Sequence, residues 1–182
     1  DIIHYEKKYR ICDSINKYMT LVNEKIKNPV INKNIFDNLD RNSKNNIYGI
    51  IKDYIFENLY KYVYPEKPIE KDKIFYDHTK ILDWITPQHC EIKPKYRNQL
   101  NLLNLNFNEL DKAKSVTDKL EFIEYVHSDI NKIIKFSGTQ EEAGQDDITP
   151  IFQYLVIKAQ PKRFYSNIYY IKSFLDNSDL RG

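Results

Sequence analysis

Apolar residues return at helical steps along most of the chain, and no run alternates cleanly between apolar and polar. Tyr9, Cys12, Ile15, Met19, Val22 and Ile26 form one stripe and predict an amphipathic helix over residues 3–27, stopped at Asn28-Pro29. The polar run from Asp40 to Asn46 predicts a loop. Ile47, Ile50, Ile51, Tyr54, Ile55, Leu59 and Tyr62 predict a second helix, ended by Pro65 and Pro68. Ile74 to Trp84 predicts a third, with Pro87 at its end and Trp84 in the core. Residues 91–98 read as irregular, and Leu100, Leu103 and Leu110 as one broken helix. Asp118 through Ile134 predicts a helix with Thr117 or Asp118 as its N-cap. After a polar connection from Gly138 to Gly144, a helix over Asp146–Ala159 is expected to bury Ile148, Phe152, Leu155 and Val156. Pro161 breaks the chain, Ser166 reads as the next N-cap, and Ile168, Ile171 and Phe174 make a last apolar stripe. The expected fold class is all-α.

Composition narrows the possibilities. A length of 182 residues with 41% hydrophobic side chains suits one domain, or a domain with a helical extension. Lysine and arginine (28) nearly balance aspartate and glutamate (26), leaving +2, so bulk charge does not point to nucleic acid. No apolar run approaches the ~20 residues of a membrane span, so direct membrane insertion is not expected. Cys12 and Cys90 lie far apart without a CxxC motif and read as reduced thiols. His89-Cys90 offers two ligands for zinc, with His4 and His78 at unhelpful spacings, so neither a metal nor another cofactor is expected. The chain begins at Asp1 without a methionine or a signal pattern and reads as a fragment of something longer.

The chemistry concentrates in Gly144-Gln145-Asp146-Asp147-Ile148-Thr149-Pro150 and the apolar run that follows it. Two adjacent carboxylates there meet the positive end of a helix dipole, which favours them by roughly 0.3–1 kcal/mol. On residue chemistry alone, Asp146 is an N-cap worth about 1 kcal/mol, and Asp147 is a cap or first-turn acid. Pro150 is tolerated in a first turn, where its missing N–H has no intrahelical partner. Tyr154 reads equally well as exposed or packed. Lys158 is expected to cover a surface and Asn167 to hydrogen-bond a helix start.

This segment, with Lys158-Ala159-Gln160-Pro161, Ser166-Asn167-Ile168 and Tyr170-Ile171, resembles the core motif of the vacuolar protein sorting nine domain family. Members of that family are guanine-nucleotide exchange factors for early-endosomal Rab GTPases. Three upstream segments are similar to further motifs of the family, in order and rough spacing. They are Leu59-Tyr60-Lys61-Tyr62-Val63-Tyr64-Pro65, Leu82-Asp83-Trp84-Ile85-Thr86-Pro87-Gln88-His89 and Asp118-Lys119-Leu120-Glu121-Phe122-Ile123.

The resemblance implies a layered helical bundle, with residues 46–182 as the exchange domain and 1–45 as an N-terminal helical extension. It implies that Asp146 is an aspartate finger that enters the GTPase nucleotide site and pairs with the phosphate-binding-loop lysine. Asp147, Pro150 and Tyr154 are the accompanying candidates for GTPase contact, Pro150 against a switch region. The implied partner is a Rab-family small GTPase of the Rab-five-like class. The implied role is regulation of endocytosis without bond chemistry of its own, in the cytosol and on early endosomes. The residue chemistry reverses in preference once the motif is included, from cap to finger.

The chain departs from the family pattern at Gln145, at Thr149, and at Gln160-Pro161-Lys162, where Asn-Pro-Pro is usual. It also stops at Leu180-Arg181-Gly182, before a helix that supplies a Tyr and a Thr to the same groove in the family. These departures leave an alternative beside the exchange reading, a non-catalytic Rab-binding or scaffold module.

Overall fold

A computed structural model describes residues 2–28, 36, 38–103, 106–138 and 144–175, with the side chains of residues 2–10 outside the description. The described residues are helical and contain no strand, which makes the fold all-α as expected. The helices are α1 (Ile2–Lys27), α2 (Arg41–Val63), α3 (Glu70–Ile81), α4 (Pro94–Arg97), α5 (Asn108–Lys112), α6 (Val116–Phe136), α7 (Gln145–Ala159) and α8 (Phe164–Phe174), with a 3₁₀ turn at Leu100–Leu102. Pro29, Tyr9, most of the Gly138–Gly144 connection and the Leu180-Arg181-Gly182 end lie outside the described residues or side chains. The chain divides into two compact units. One comprises residues 1–66, 114–117 and 169–182, the other residues 67–113 and 118–168.

In the first unit α1 packs on α2. Cys12, Ile15, Met19 and Ile26 of α1 are buried, as the periodicity predicts. α2 differs from expectation at both its start and its face. It begins at Arg41 because the Asp40 carboxylate accepts the Ser43 N–H at 2.7 Å, capping a segment whose polarity reads as loop. Its buried residues are Lys52, Phe56 and Val63, while Ile50, Tyr54 and Tyr62 of the predicted stripe are exposed. The helix carries apolar side chains on all sides, so burial follows aromatic packing rather than periodicity. Phe56 lies 4.7 Å from Phe174, and Tyr60 meets Tyr170 edge-on at 5.4 Å. The Tyr170 hydroxyl donates to the Lys114 carbonyl at 3.0 Å, and burial pushes its pKa above the tyrosine range. The unfolded chain would lose that proton first, so this group's contribution to stability falls only above pH 10.

The second unit has a continuous apolar core. Val126, Ile130 and Ile134 of α6 meet Ile148, Ile151, Leu155 and Val156 of α7, closed by Ile92, Tyr96, Leu100 and Phe107. Ile151 is fully buried and Phe152 only partly so, which shifts the inward face of α7 from the expected one. The third predicted helix is also displaced: α3 starts at Glu70 and stops at Ile81. The next residues turn, with the Thr86 N–H and hydroxyl on His89 Nδ1 at 3.0 and 2.8 Å, a local bond that competes with helix. Trp84 rides on that turn, 66% exposed and edge-on to His89, instead of entering the core.

Polar groups buried in this unit are networked. Asp72, with no exposure, accepts the Ile69 N–H at 3.1 Å, the Ser166 N–H at 2.8 Å and the Ser166 hydroxyl. Ser166 is therefore not the N-cap of α8, which begins at Phe164; it sits in the first turn and takes its acceptor from α3. The α6 N-cap expectation also fails, because the helix begins at Val116, before both Thr117 and Asp118 become available as caps. Asn167 accepts from the Lys119 ammonium at 2.7 Å and donates to the Asp111 carboxylate at 2.6 Å.

Lys119 also donates to the Leu110 carbonyl at 2.5 Å, and desolvation lowers its pKa from 10.5 to about 8 despite the opposing Asp111 charge. Between those two values the unfolded chain holds a proton that the folded chain has released, so stability rises with pH across that window. Relative to Lys119→Met, the protein is expected to gain on the order of 2 kcal/mol between pH 8 and pH 10. Urea unfolding of both proteins at the two pH values measures the difference, and parallel pH profiles contradict it.

Candidate functional site

The Asp-Asp pair lies in the first turn of α7, as the sequence implies, but not at the cap. Gly144 is the N-cap, in extended backbone, and its carbonyl receives the Asp147 and Ile148 N–H groups at 3.0 and 3.2 Å. Asp146 and Asp147 therefore occupy the second and third helical positions, where the dipole favours anions without a capping role. The cap reading of Asp146 is thereby set aside by the position of Gly144.

The two carboxylates have different surroundings. Asp147 is held by Lys93, whose Nζ lies 2.6 Å from Oδ1, and its side chain is 15% exposed. Asp147 holds the Lys93 ammonium above the usual lysine pKa, with a smaller contribution from the Asp146 charge. Asp146 is exposed and makes no hydrogen bond or ion pair among the described residues. Lys93 is the residue that sequence reasoning missed. It is distant in the chain from Asp147, and its only local signal is the following Pro94 at the start of α4.

Pro150 sits inside α7, at the sixth helical position rather than in the first turn. An N–H at that position would donate to the Asp146 carbonyl, so the proline removes a helical bond beside the exposed carboxylate. One turn beyond Pro150, Tyr154 is half-buried against the core, and burial pushes its hydroxyl pKa up. The structure thus gives it both a packed ring and a partly exposed edge. The Lys158 ammonium lies 5.8 Å from that ring's centre. Lys158 also donates to the Asp83 carbonyl and lies 3.7 Å from its carboxylate, tying the end of α7 to the turn after α3. That bond makes Lys158 a structural residue that also covers surface.

α7 ends at Gln160, in the left-handed conformation with φ 46°. Glutamine is strained there, whereas Asn tolerates the region. Gln160→Asn is expected to stabilise the protein by roughly 0.5 kcal/mol, read as a raised midpoint in thermal unfolding.

A shallow apolar groove of about 520 Å³ runs beside the C-terminal half of α7, lined by Phe75, Leu82, Ile85, Phe152, Val156 and Phe164 among others. A more polar one of about 710 Å³ lies between α6 and the start of α7, lined by His127, Asn131, Lys132, Lys135, Gln145 and Ile148. Lys132 in the second groove is already paired with Asp129 at 2.7 Å.

Comparison with known proteins gives the site a context. Residues 101–182 match the Vacuolar sorting protein 9 (VPS9) domain, a span that includes α5 to α8 and the Asp-Asp pair. The chain is 33% identical over 138 residues to the Rab5 GDP/GTP exchange factors of Bos taurus and Homo sapiens, covering 71% of this chain and 28% of each relative. It is 25% identical over 140 residues to Vacuolar protein sorting-associated protein 9A of Arabidopsis thaliana, covering 72% of this chain and 27% of that protein. The chain thus spans about 28% of the length of the exchange factors it matches. Helical architecture, motif order and these matches agree: the chain belongs to the VPS9 domain family.

Proposed function

We propose that this chain is a guanine-nucleotide exchange module for a Rab-family small GTPase of the early-endosomal, Rab-five-like class, with Asp146 as its aspartate finger. The observation that carries the reading is the unequal state of the two carboxylates. Asp147 is neutralised within the chain by Lys93, whereas Asp146 is exposed at a helix start with no partner of its own among the described residues. A carboxylate left in that state is available to a cation on another protein. The matches to Rab5 GDP/GTP exchange factors support the choice of partner.

The proposed mechanism is competition. In a GTPase the phosphate-binding-loop lysine neutralises the terminal phosphate of the bound diphosphate, and Mg²⁺ bridges nucleotide and protein. Asp146 would take that lysine as a charge-assisted partner and repel the phosphate and its metal. Nucleotide and exchange module then weaken each other's binding, and the coupling is reciprocal. A thousandfold faster release of GDP corresponds to about 4 kcal/mol off the barrier. No covalent bond forms on this chain, so it acts as a regulator rather than a chemical catalyst. Pro150, Tyr154 and Asp147 lie on the same helix and are proposed as accompanying contacts. In this reading residues 46–182 form the exchange domain and residues 1–45 an extension. The protein works in the cytosol and is recruited peripherally to early endosomes, regulating endocytic traffic.

The test is release of fluorescent GDP from a panel of Rab GTPases, with this chain and with a version continuing beyond Gly182. Accelerated release from a Rab-five-like member, lost on Asp146→Ala, supports the reading. Binding of a Rab without acceleration by either version favours the non-catalytic module.

A further inference from the structure

We propose that Lys93 is a positioning residue for Asp146, acting through its ion pair with Asp147. The inference rests on the exchange reading above and concerns the same site.

The first turn of α7 has one backbone bond fewer than an uninterrupted helix. The Asp147 and Ile148 N–H groups share the Gly144 carbonyl, and Pro150 supplies no N–H to the Asp146 carbonyl. A tether from outside the helix therefore decides how firmly Asp146 is oriented. Lys93 is well placed to provide it. It precedes Pro94 at the start of α4, between Ile92 and Tyr96, which are 2% and 1% exposed within the core. The Arg97 Nε–H donates to the Ile92 carbonyl at 2.7 Å and pins the same turn. From this fixed post the ammonium reaches Asp147 at 2.6 Å.

The pair has two consequences for Asp146. It ties the finger-bearing turn to the core, so the carboxylate next to it keeps one direction. It also cancels one of two adjacent negative charges, so an incoming lysine meets Asp146 rather than choosing between neighbours. A released Asp147 would compete for that lysine from a position one residue away. Loss of orientation at a reacting group is costly, of order a hundredfold for a displacement near 1 Å. A single exposed tether contributes less, and about tenfold is expected here.

The experiment measures GDP release by the unaltered chain and by Lys93→Met, Lys93→Arg, Asp147→Asn and the Lys93→Met/Asp147→Asn double variant, with Asp146→Ala alongside. Lys93→Met is expected to lower the maximal release rate about tenfold, with little change in half-saturating concentration or melting temperature. Lys93→Arg restores the rate. In the Asp147→Asn background, Lys93→Met has no further effect. The inference is overturned if Lys93→Met releases GDP at the unaltered rate while Asp146→Ala does not. It is equally overturned if the loss persists undiminished in the Asp147→Asn background, since Lys93 would then touch the GTPase itself. Release that is insensitive to Asp146→Ala, or absent with every GTPase, overturns the finger reading and this inference with it.

Discussion

Asp146→Ala is expected to lower the GDP-release rate at least about a hundredfold, near 3 kcal/mol of barrier, while leaving the fold in place. The separation follows from where the carboxylate stands. Asp146 is exposed and makes no hydrogen bond or ion pair among the described residues, and Gly144 rather than Asp146 caps α7. Within the chain it contributes its interaction with the helix dipole, roughly 0.3–1 kcal/mol, and a charge attraction to Lys93 weaker than that of Asp147. Against a GTPase it would supply the charge that displaces the lysine–phosphate contact. Asp146→Asn keeps a hydrogen-bond acceptor and loses the charge, so it should fall between alanine and the unaltered protein. The measurement pairs stopped-flow GDP release with thermal unfolding of the same samples. Near-normal release by Asp146→Ala would refute the finger assignment. A stability loss above about 2 kcal/mol would make the residue mainly structural, beyond anything a dipole contact supplies.

The largest effect on stability is expected at Asp72. Its carboxylate has no exposure and accepts three donors: the Ile69 N–H before α3, and the Ser166 N–H and hydroxyl in the first turn of α8. Asp72→Ala leaves those donors without an acceptor and opens space around them. An orphaned buried donor costs about 1–3 kcal/mol, and such costs overlap when the groups are neighbours. A total on the order of 4 kcal/mol is expected, a large part of the roughly 5–15 kcal/mol that holds a domain folded. Ser166→Ala removes only the hydroxyl and should cost about 1–2 kcal/mol. Asp72→Asn, which keeps one oxygen acceptor, should lie between the two. Urea denaturation of the three variants gives the order directly. A cost for Asp72→Ala no greater than that of Ser166→Ala would mean that the two backbone donors find other partners.

The sequence by itself determined the helical class and most of the helices. In α1 the apolar period survives into the burial pattern, at Cys12, Ile15, Met19 and Ile26, and in α7 it survives at Ile148, Leu155 and Val156. That information is local: helical hydrogen bonds span four residues, and one apolar face suffices to define the side that packs. The motif around Asp146 and Asp147 was legible for the same reason, since a first-turn acid pair depends on its own helix. The start of α2 was legible in principle, because Asp40 three residues before Ser43 is a local cap signal, but the polarity of the run masked it.

Tertiary structure alone decided which face of α2 is buried, because a helix apolar on every side leaves that choice to its neighbours, here Phe174 and Tyr170. It placed Trp84 outward on a turn held by Thr86 and His89. It assigned Asp72 to Ser166 and Lys119 to Asn167, pairings between groups remote in sequence. Above all it divided the acid pair, giving Asp147 to Lys93 and leaving Asp146 exposed. Two adjacent aspartates are chemically identical as a sequence. They differ only once a cation from another element is brought within ion-pair distance of one of them, and bringing distant charges together is something the folded core does and local periodicity does not encode.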